Sequence, residues 1–307
     1  MKKIYLLALI LATVILLILF VLYNRYASYY EEEKISQYIS KHIDILNENL
    51  DFEKKYALSL SLFVSKNETI KRALIEKNQQ MALDEMQCFL NEIRHSAGIE
   101  NVDIQIHTHD LKAFARNWDS SAYYGTQLST FRQGLVRVKK TLEPFVSIEL
   151  GRRLNIKAIS PITDKDGSFI GSIEIIMGFQ NIKQRLQKFD LQILGLLDQK
   201  FIDIAIDLKE NPRVGKYYVV EKQYSRTLYR IVSTHLPILT SKQFYHRIGD
   251  RIIVLIPMKS VGIEDVGMIA LSIPSTYDEA HAVVKVDYTK ENNKYHFNQH
   301  RREVIIK

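Results

Sequence analysis

Val102–Trp118 reads VDIQIHTHDLKAFARNW. Its first half alternates apolar Val102, Ile104 and Ile106 with polar Asp103, Gln105 and His107. A strand sends successive side chains to opposite faces, so this stretch predicts a half-buried β-strand with one apolar and one polar face. The pattern also marks a boundary. Before it the apolar residues recur at helical spacing, and after it at strand spacing, so the chain reads as α+β.

Toward the C-terminus three more strand candidates follow, Phe145 to Leu150, Leu154 to Ser160 and Phe169 to Met177. Asp164-Lys165-Asp166-Gly167 supplies turn chemistry between the last two. The apolar faces Val102/Ile104/Ile106, Val146/Ile148/Leu150 and Leu154/Ile156/Ala158 are expected to pack on helices. The opposite faces carry Gln105/His107, Ser147/Glu149, Asn155/Lys157 and Ser172/Glu174. Between the first and second strands lies a loop-rich segment from Asp110 to Thr141, holding Arg116, Trp118, Tyr123, Tyr124 and Arg132. An insertion of aromatics and arginines over a sheet reads as a binding lid. A connecting helix is expected from Phe179 to about Gln199. Strand-like runs follow at Phe201 to Leu208, Tyr217 to Lys222, Arg251 to Met258 and Val266 to Ile273, around a helical or irregular segment from Tyr224 to Arg247. The arrangement occurs twice, without a sequence repeat.

Toward the N-terminus, helices are expected from about Asn78 to His95, closed near Gly98, and from Asn67-Glu68 through Leu74. Further upstream, Ile39, Ile43, Leu46, Leu50, Ala57, Leu60 and Val64 alternate steps of four and three, broken by Glu53. This heptad seam suits a stalk helix that pairs with a second copy, or a helix that packs on its own domain. Ile4 to Tyr23, IYLLALILATVILLILFVLY, carries no charge. About twenty apolar residues at 1.5 Å each cross a hydrocarbon core of about 30 Å. The run is too long, and lacks the small-residue end, for a cleaved signal peptide. Lys2 and Lys3 precede it, and Glu31-Glu32-Glu33 follow it. Basic residues stay inside, so the expectation is a single-pass protein of the inner membrane, N-terminus inside and the bulk of the chain periplasmic.

The net charge of +7 is spread out, the longest basic clusters being pairs such as Arg152-Arg153 and Arg301-Arg302. Nucleic-acid binding would need a denser stripe. With a single cysteine, Cys88, no internal disulfide is available, and its neighbours Phe89 and Leu90 suggest a buried, inert thiol. The chain lacks a serine nucleophile elbow, a zincin motif, a phosphate-binding glycine loop and paired-cysteine spacing. His107 and His109 share a strand face, but as polar strand residues they call for no metal. No catalytic residue, metal or cofactor is expected.

The elements His109–Trp118 (HDLKAFARNW), Tyr124–Arg132 (YGTQLSTFR), Ile148–Arg152 (IELGR) and Lys157–Ile162 (KAISPI) resemble double Cache sensor domains. The likeness is to the variant of bacterial chemoreceptors and sensor histidine kinases, over roughly Leu50 to Val286. The resemblance implies two tandem PAS-like modules, each a mainly antiparallel sheet flanked by helices, behind the long N-terminal helix. The expected organisation is a cytoplasmic N-terminus (1–3), a transmembrane helix (4–23), a stalk helix (24–68), a membrane-distal module (69–185), a membrane-proximal module (186–286) and a polar tail (287–307). It also implies that the distal module binds a small ligand.

The polar sheet face under the aromatic and arginine segment makes the candidate site Arg116, Trp118, Tyr123, Tyr124, Arg132, Glu149, Lys157, His107 and Glu174. Arginine grips carboxylates through paired hydrogen bonds, and aromatic faces cover ammonium groups or flat rings. The expected ligand is therefore an amino acid, a carboxylate or an amine. Structural roles compete for the same residues: Arg132 can bridge to Glu149, and Lys157 can pair with Glu174 across strands. Expected partners are the membrane, a second copy through the stalk, and a receptor or kinase. No kinase, methyl-accepting or cyclase region follows in the sequence. Output is therefore expected through the single helix, a partner or sequence beyond Lys307. A ligand-independent adaptor or scaffold for another membrane protein is the alternative, as is the sensory part of a longer receptor.

Overall fold

The computed structural model describes residues 2–97, 99–119 and 124–275. Tyr123, Gly98 and the 287–307 tail lie outside the described residues. The chain divides into two compact units, residues 1–45 and 46–307. The first consists of helix, the N-terminal part of α1 (Lys2–Ser65). Among the described residues, α1 is the one helix long and apolar enough to cross a membrane. Its side chains from Ile10 to Tyr23 are exposed.

In the second unit α1 continues to Ser65, followed by α2 (Glu68–Ile75) and α3 (Gln79–Ala97). Asn67 caps α2 by accepting from Ile70 N–H at 3.0 Å, the role expected of an Asn before a helix. The heptad seam is buried at Ile39, Ile43, Leu46, Leu50, Ala57 and Val64, with Leu60 half-buried. From Leu46 onward the seam belongs to this chain's own core. Each fully buried side chain of leucine size contributes about 2 kcal/mol. The polar break is also internal: Glu53 accepts from Asn181 Nδ2 at 2.8 Å and pairs with Arg185. Cys88 is exposed, contrary to expectation. The buried positions of α3 are Ala82, Met86 and Leu90, at helical steps of four, so a residue two along from Met86 faces away.

The first sheet contains β1 (Val102–Thr108), β2 (Ala113–Arg116), β3 (Phe145–Leu150), β4 (Leu154–Thr163) and β5 (Phe169–Met177), in the order β2-β1-β5-β4-β3. All its pairings are antiparallel. Within the loop-rich segment, Ala113–Arg116 is thus a strand, and Gln133–Thr141 forms α4. Register puts Ile104, Ile175, Ala158 and Val146 in one row, on the apolar face. On that same face Ser160 meets Ser61 of α1, hydroxyl to hydroxyl, at 2.8 Å.

After α5 (Gln180–Gln187) comes the second sheet, of six strands: β6 (Gln192–Asp198), β7 (Arg213–Val214), β8 (Tyr217–Val219), β9 (Tyr245–Ile248), β10 (Arg251–Ser260) and β11 (Ile263–Pro274). Its order is β7-β8-β6-β11-β10-β9. Helix α6 (Arg226–Leu239) packs against it, capped by Ser225 Oγ, which accepts from Leu228 N–H at 3.2 Å. The helix expected as far as Gln199 stops at Gln187, and Gln192–Asp198 is a central strand. It is buried on both faces, so its apolar run carries no alternation to separate it from a helix. Conversely, Phe201 to Leu208 alternates like a strand but forms short 3-10 turns at Gln199–Phe201 and Ile206–Leu208. Both edges of β6 are already taken by β8 and β11, which leaves this segment no ladder to join.

Candidate functional site

The polar face of the first sheet is assembled by register. Gln105 of β1 stands between Arg116 of β2 and Glu174 of β5. Asp103, Ile176, Lys157 and Ser147 form the next row, and Asn155 stands opposite Glu149. The described residues between β2 and α4, with α4 itself, cover this face. Leu128, Leu135 and Val138 bury against Ile159 and Ala113 at one end of it.

At the other end lies a cavity of about 300 Å³. The sheet contributes Gln105, Arg116, Asn155, Lys157 and Ile176, and the covering segment Thr126, Leu128, Phe131 and Arg132. Arg152 and Arg153 enter from the β3–β4 turn, and Trp118 stands at the mouth, 37% exposed. The remaining wall comes from the 3-10 segment of the second sheet, Asp203, Ile204, Ile206 and Asp207. Arg152 holds that wall through a two-pronged pair with the Asp207 carboxylate, and its carbonyl accepts from Asp207 N–H at 3.1 Å.

Beneath the cavity is a buried ionic cluster. Arg132 donates to Glu149 at 3.3 Å through Nε and to Glu174 through Nη1 and Nη2, and all three side chains are buried. Burial lowers the proton affinity of Arg132, but the Glu174 and Glu149 charges outweigh it and raise it above the ordinary value. Glu149 also accepts from Gly134 N–H at 3.1 Å, at the start of α4. A Cβ on Gly134 would lie 2.6 Å from the Glu149 carboxylate oxygen, so only glycine lets the carboxylate reach the helix N-terminus. His107 meets Ser172 Oγ through Nδ1 at 3.0 Å and lies 3.6 Å from Glu174. Burial, then the Arg132 and Arg116 charges, lowers its pKa well below the ordinary value, so the ring is neutral.

Lys157 differs from the other cations. It is 4% exposed, lines the cavity, and its ammonium lies against Gly151, where a Cβ would collide with it. Burial, and next the Arg132 charge, lowers its pKa to about 7. Arg116, also buried, donates from Nε and Nη2 to the Gln105 amide oxygen at 3.2 and 3.3 Å, with that amide turned to suit. The Arg116 and Arg153 guanidinium groups stand 5.7 and 5.9 Å from the Trp118 ring, a cation–π arrangement.

Of the residues expected at the site, Arg116, Trp118, Arg132 and Lys157 line the cavity. Glu149, Glu174 and His107 lie in the cluster beneath it. Tyr124 does not line it: the ring is 57% exposed and tilts against Phe114. Arg116 belongs to the sheet and not to the cover. The Lys157–Glu174 pair, the structural role that competes for these two residues, does not form, because Glu174 stands opposite Ile159 and turns to Arg132. Sequence reasoning missed the Asp203–Asp207 wall, whose alternation signalled a strand. It also noted Arg152-Arg153 as a basic pair without placing it.

A family model described as the double sensory domain of two-component sensor kinases matches residues 32–279. The sensor domain of the V. cholerae histidine kinase DctB is 13% identical, with a TM-score of 0.46 over 77% of this chain and 96% of that one. The ligand-binding domain of the Campylobacter jejuni chemoreceptor Tlp3, in complex with 4-methylisoleucine, is 11% identical, with a TM-score of 0.40 over 81% and 92%. The periplasmic domain of Vibrio cholerae LuxQ is 12% identical, with a TM-score of 0.41 over 76% and 99%. No curated protein matches the chain.

Proposed function

The chain belongs to the double Cache family of sensory domains, and from that premise we propose that it is a membrane-anchored extracytoplasmic receptor for a small organic ligand. The ligand occupies the cavity on the first sheet, and Ile4 to Tyr23 holds the domain at the inner membrane with the N-terminus inside. The first sheet with its helices is the membrane-distal module, and the second is the proximal one.

The observation that carries this reading is the lining of the cavity. Cationic side chains from two strands and a turn converge on one half-open cavity beside an aromatic ring, a combination suited to a small ligand with a negative group. The wall contributed by the second sheet supplies an output. A ligand that binds better to one spacing of that wall shifts the population toward it, by no more than its difference in affinity. The arginines are also matched internally, Arg132 to Glu149 and Glu174, Arg152 to Asp207 and Arg153 to Asp103. That self-sufficiency favours the second reading, a ligand-independent adaptor for another membrane protein.

Trp118 is the only tryptophan and lines the cavity, so its fluorescence reports occupancy. Full-length protein in lipid nanodiscs should be screened by Trp118 emission and thermal shift against amino acids, organic acids, amines and nucleobases. A saturable response, weakened by Arg116→Ala, is expected. Silence across the whole library, with a stable partner recovered by crosslinking in membranes, would replace the receptor by the adaptor.

A further inference from the structure

We propose that the cavity takes a small monocarboxylate with an apolar body and no ammonium group, its carboxylate paired with Lys157. This rests on the reading of the cavity as a ligand site and specifies what that site accepts.

Among the lining cations, Arg132, Arg152 and Arg153 each hold a protein carboxylate, and Arg116 is held by Gln105 and by the Trp118 face. The Lys157 ammonium makes no hydrogen bond and no ion pair with a described residue, although its side chain is buried and borders the cavity. A buried ammonium without a counterion is costly, and the open space beside it is where a counterion can enter. Gly151 keeps that space clear, since a side chain there would occupy the ammonium position.

The carboxylates give the complementary result. Glu149 and Glu174 face Arg132, and Asp207 faces Arg152. The Asp203 side chain is 93% exposed and pairs with Lys209. Among the described residues that line the cavity, the two carboxylates, Asp203 and Asp207, each already face a cation of this chain, so an entering ammonium would meet Arg116, Arg152 and Lys157. Apart from the neutral polar Gln105, Thr126 and Asn155, the rest of the lining is apolar: Leu128, Phe131, Ile176, Ile204, Ile206 and the Trp118 ring. The space of about 300 Å³ equals roughly ten water volumes, room for a small acid.

The proton affinity of Lys157 agrees with this geometry. Burial is the largest cause of its pKa of about 7, followed by the Arg132 charge, with Arg153 adding to them and Glu174 and Glu149 opposing. The other cations of the cavity wall are Arg116 and Arg152. A carboxylate beside the ammonium restores the proton, so binding above neutral pH takes one up.

The test uses full-length protein in nanodiscs and three probes of one skeleton: 4-methylpentanoate, leucine and 3-methylbutylamine. Trp118 emission and calorimetry at pH 7 should show the acid binding at least tenfold tighter than leucine, and the amine not binding. Calorimetry at pH 8 in two buffers of different ionisation enthalpy should show proton uptake. Lys157→Met should weaken the acid at least tenfold without lowering the melting temperature. Gly151→Ala, which pushes the ammonium aside, should weaken it in the same direction even if Lys157→Met fails to fold. Leucine or the amine binding as tightly as the acid overturns the inference and leaves the receptor standing. Unchanged affinity in both variants does the same. Failure of all three probes also overturns it, and the receptor reading falls with it only if the broad library is silent too.

Discussion

Lys157→Met should stabilise the protein, by an amount set by pH. The perturbation exchanges a buried cation for an unbranched apolar side chain of similar length in the middle of β4. In the unfolded chain the lysine titrates near 10.5, and in the folded chain at about 7. At 1.36 kcal/mol per tenfold change in proton affinity, folding a protonated lysine into this position costs about 5 kcal/mol at most, less whatever water in the cavity recovers. The sign follows from linkage. Below pH 7 the lysine is protonated in both states and the cost is complete. Between about 7 and 10.5 the unfolded chain holds a proton that the folded chain does not, so wild-type stability rises with pH in this window. The advantage of the variant is therefore largest at pH 7 and below, shrinks by about 1.4 kcal/mol per pH unit above it, and vanishes beyond 10.5. Thermal unfolding of both proteins in nanodiscs at pH 6.5, 8 and 9.5 would measure it. For a domain of this size a full effect raises the melting temperature by roughly 10–20 °C at the lowest pH. A variant less stable than wild type at pH 6.5, or a difference that does not change with pH, would refute the reasoning.

The cluster below the cavity should respond in the opposite sense. Arg132→Met strands Glu149 and Glu174 and should cost about 3–5 kcal/mol; adding Glu149→Gln and Glu174→Gln should recover much of that in denaturant titrations. His107 is buried and neutral with its pKa lowered by burial, so the unfolded chain gains a proton below its ordinary value of 6.5 and stability falls on acidification. His107→Gln should flatten the loss of melting temperature between pH 7 and 5. Glu53→Ala removes the carboxylate that joins α1 to Asn181 and Arg185 and should cost about 1–3 kcal/mol, with local protection of α5 lost first in hydrogen exchange.

The first sheet was legible because its strands face two different environments. Phe145–Leu150 and Phe169–Met177 fall where the alternation places them. The row of Ile104, Ile175, Ala158 and Val146 turns toward the core as expected. In the second sheet that contrast is weaker. Gln192–Asp198 is covered on both faces and carries no alternation, and Phe201 to Leu208 alternates without any strand edge to join. Cys88 shows the same limit at a single residue, because its apolar neighbours in sequence lie on another face of α3.

For the site, the sequence by itself determined which side chains share the polar face: a period of two in β1, β3, β4 and β5 puts Gln105, Glu149, Lys157 and Glu174 on it whatever lies above. It also determined the apolar run at the N-terminus and, through the arginines and aromatics between β1 and β3, that something would cover the sheet. Only the tertiary structure decided how the charges are divided among themselves. Arg132 turns under the cover to take both glutamates, Arg152 reaches across to Asp207 of the second sheet, and Lys157 is left bordering an apolar space. Periodicity is a property of one segment, whereas charge pairing depends on distances between segments far apart in the chain.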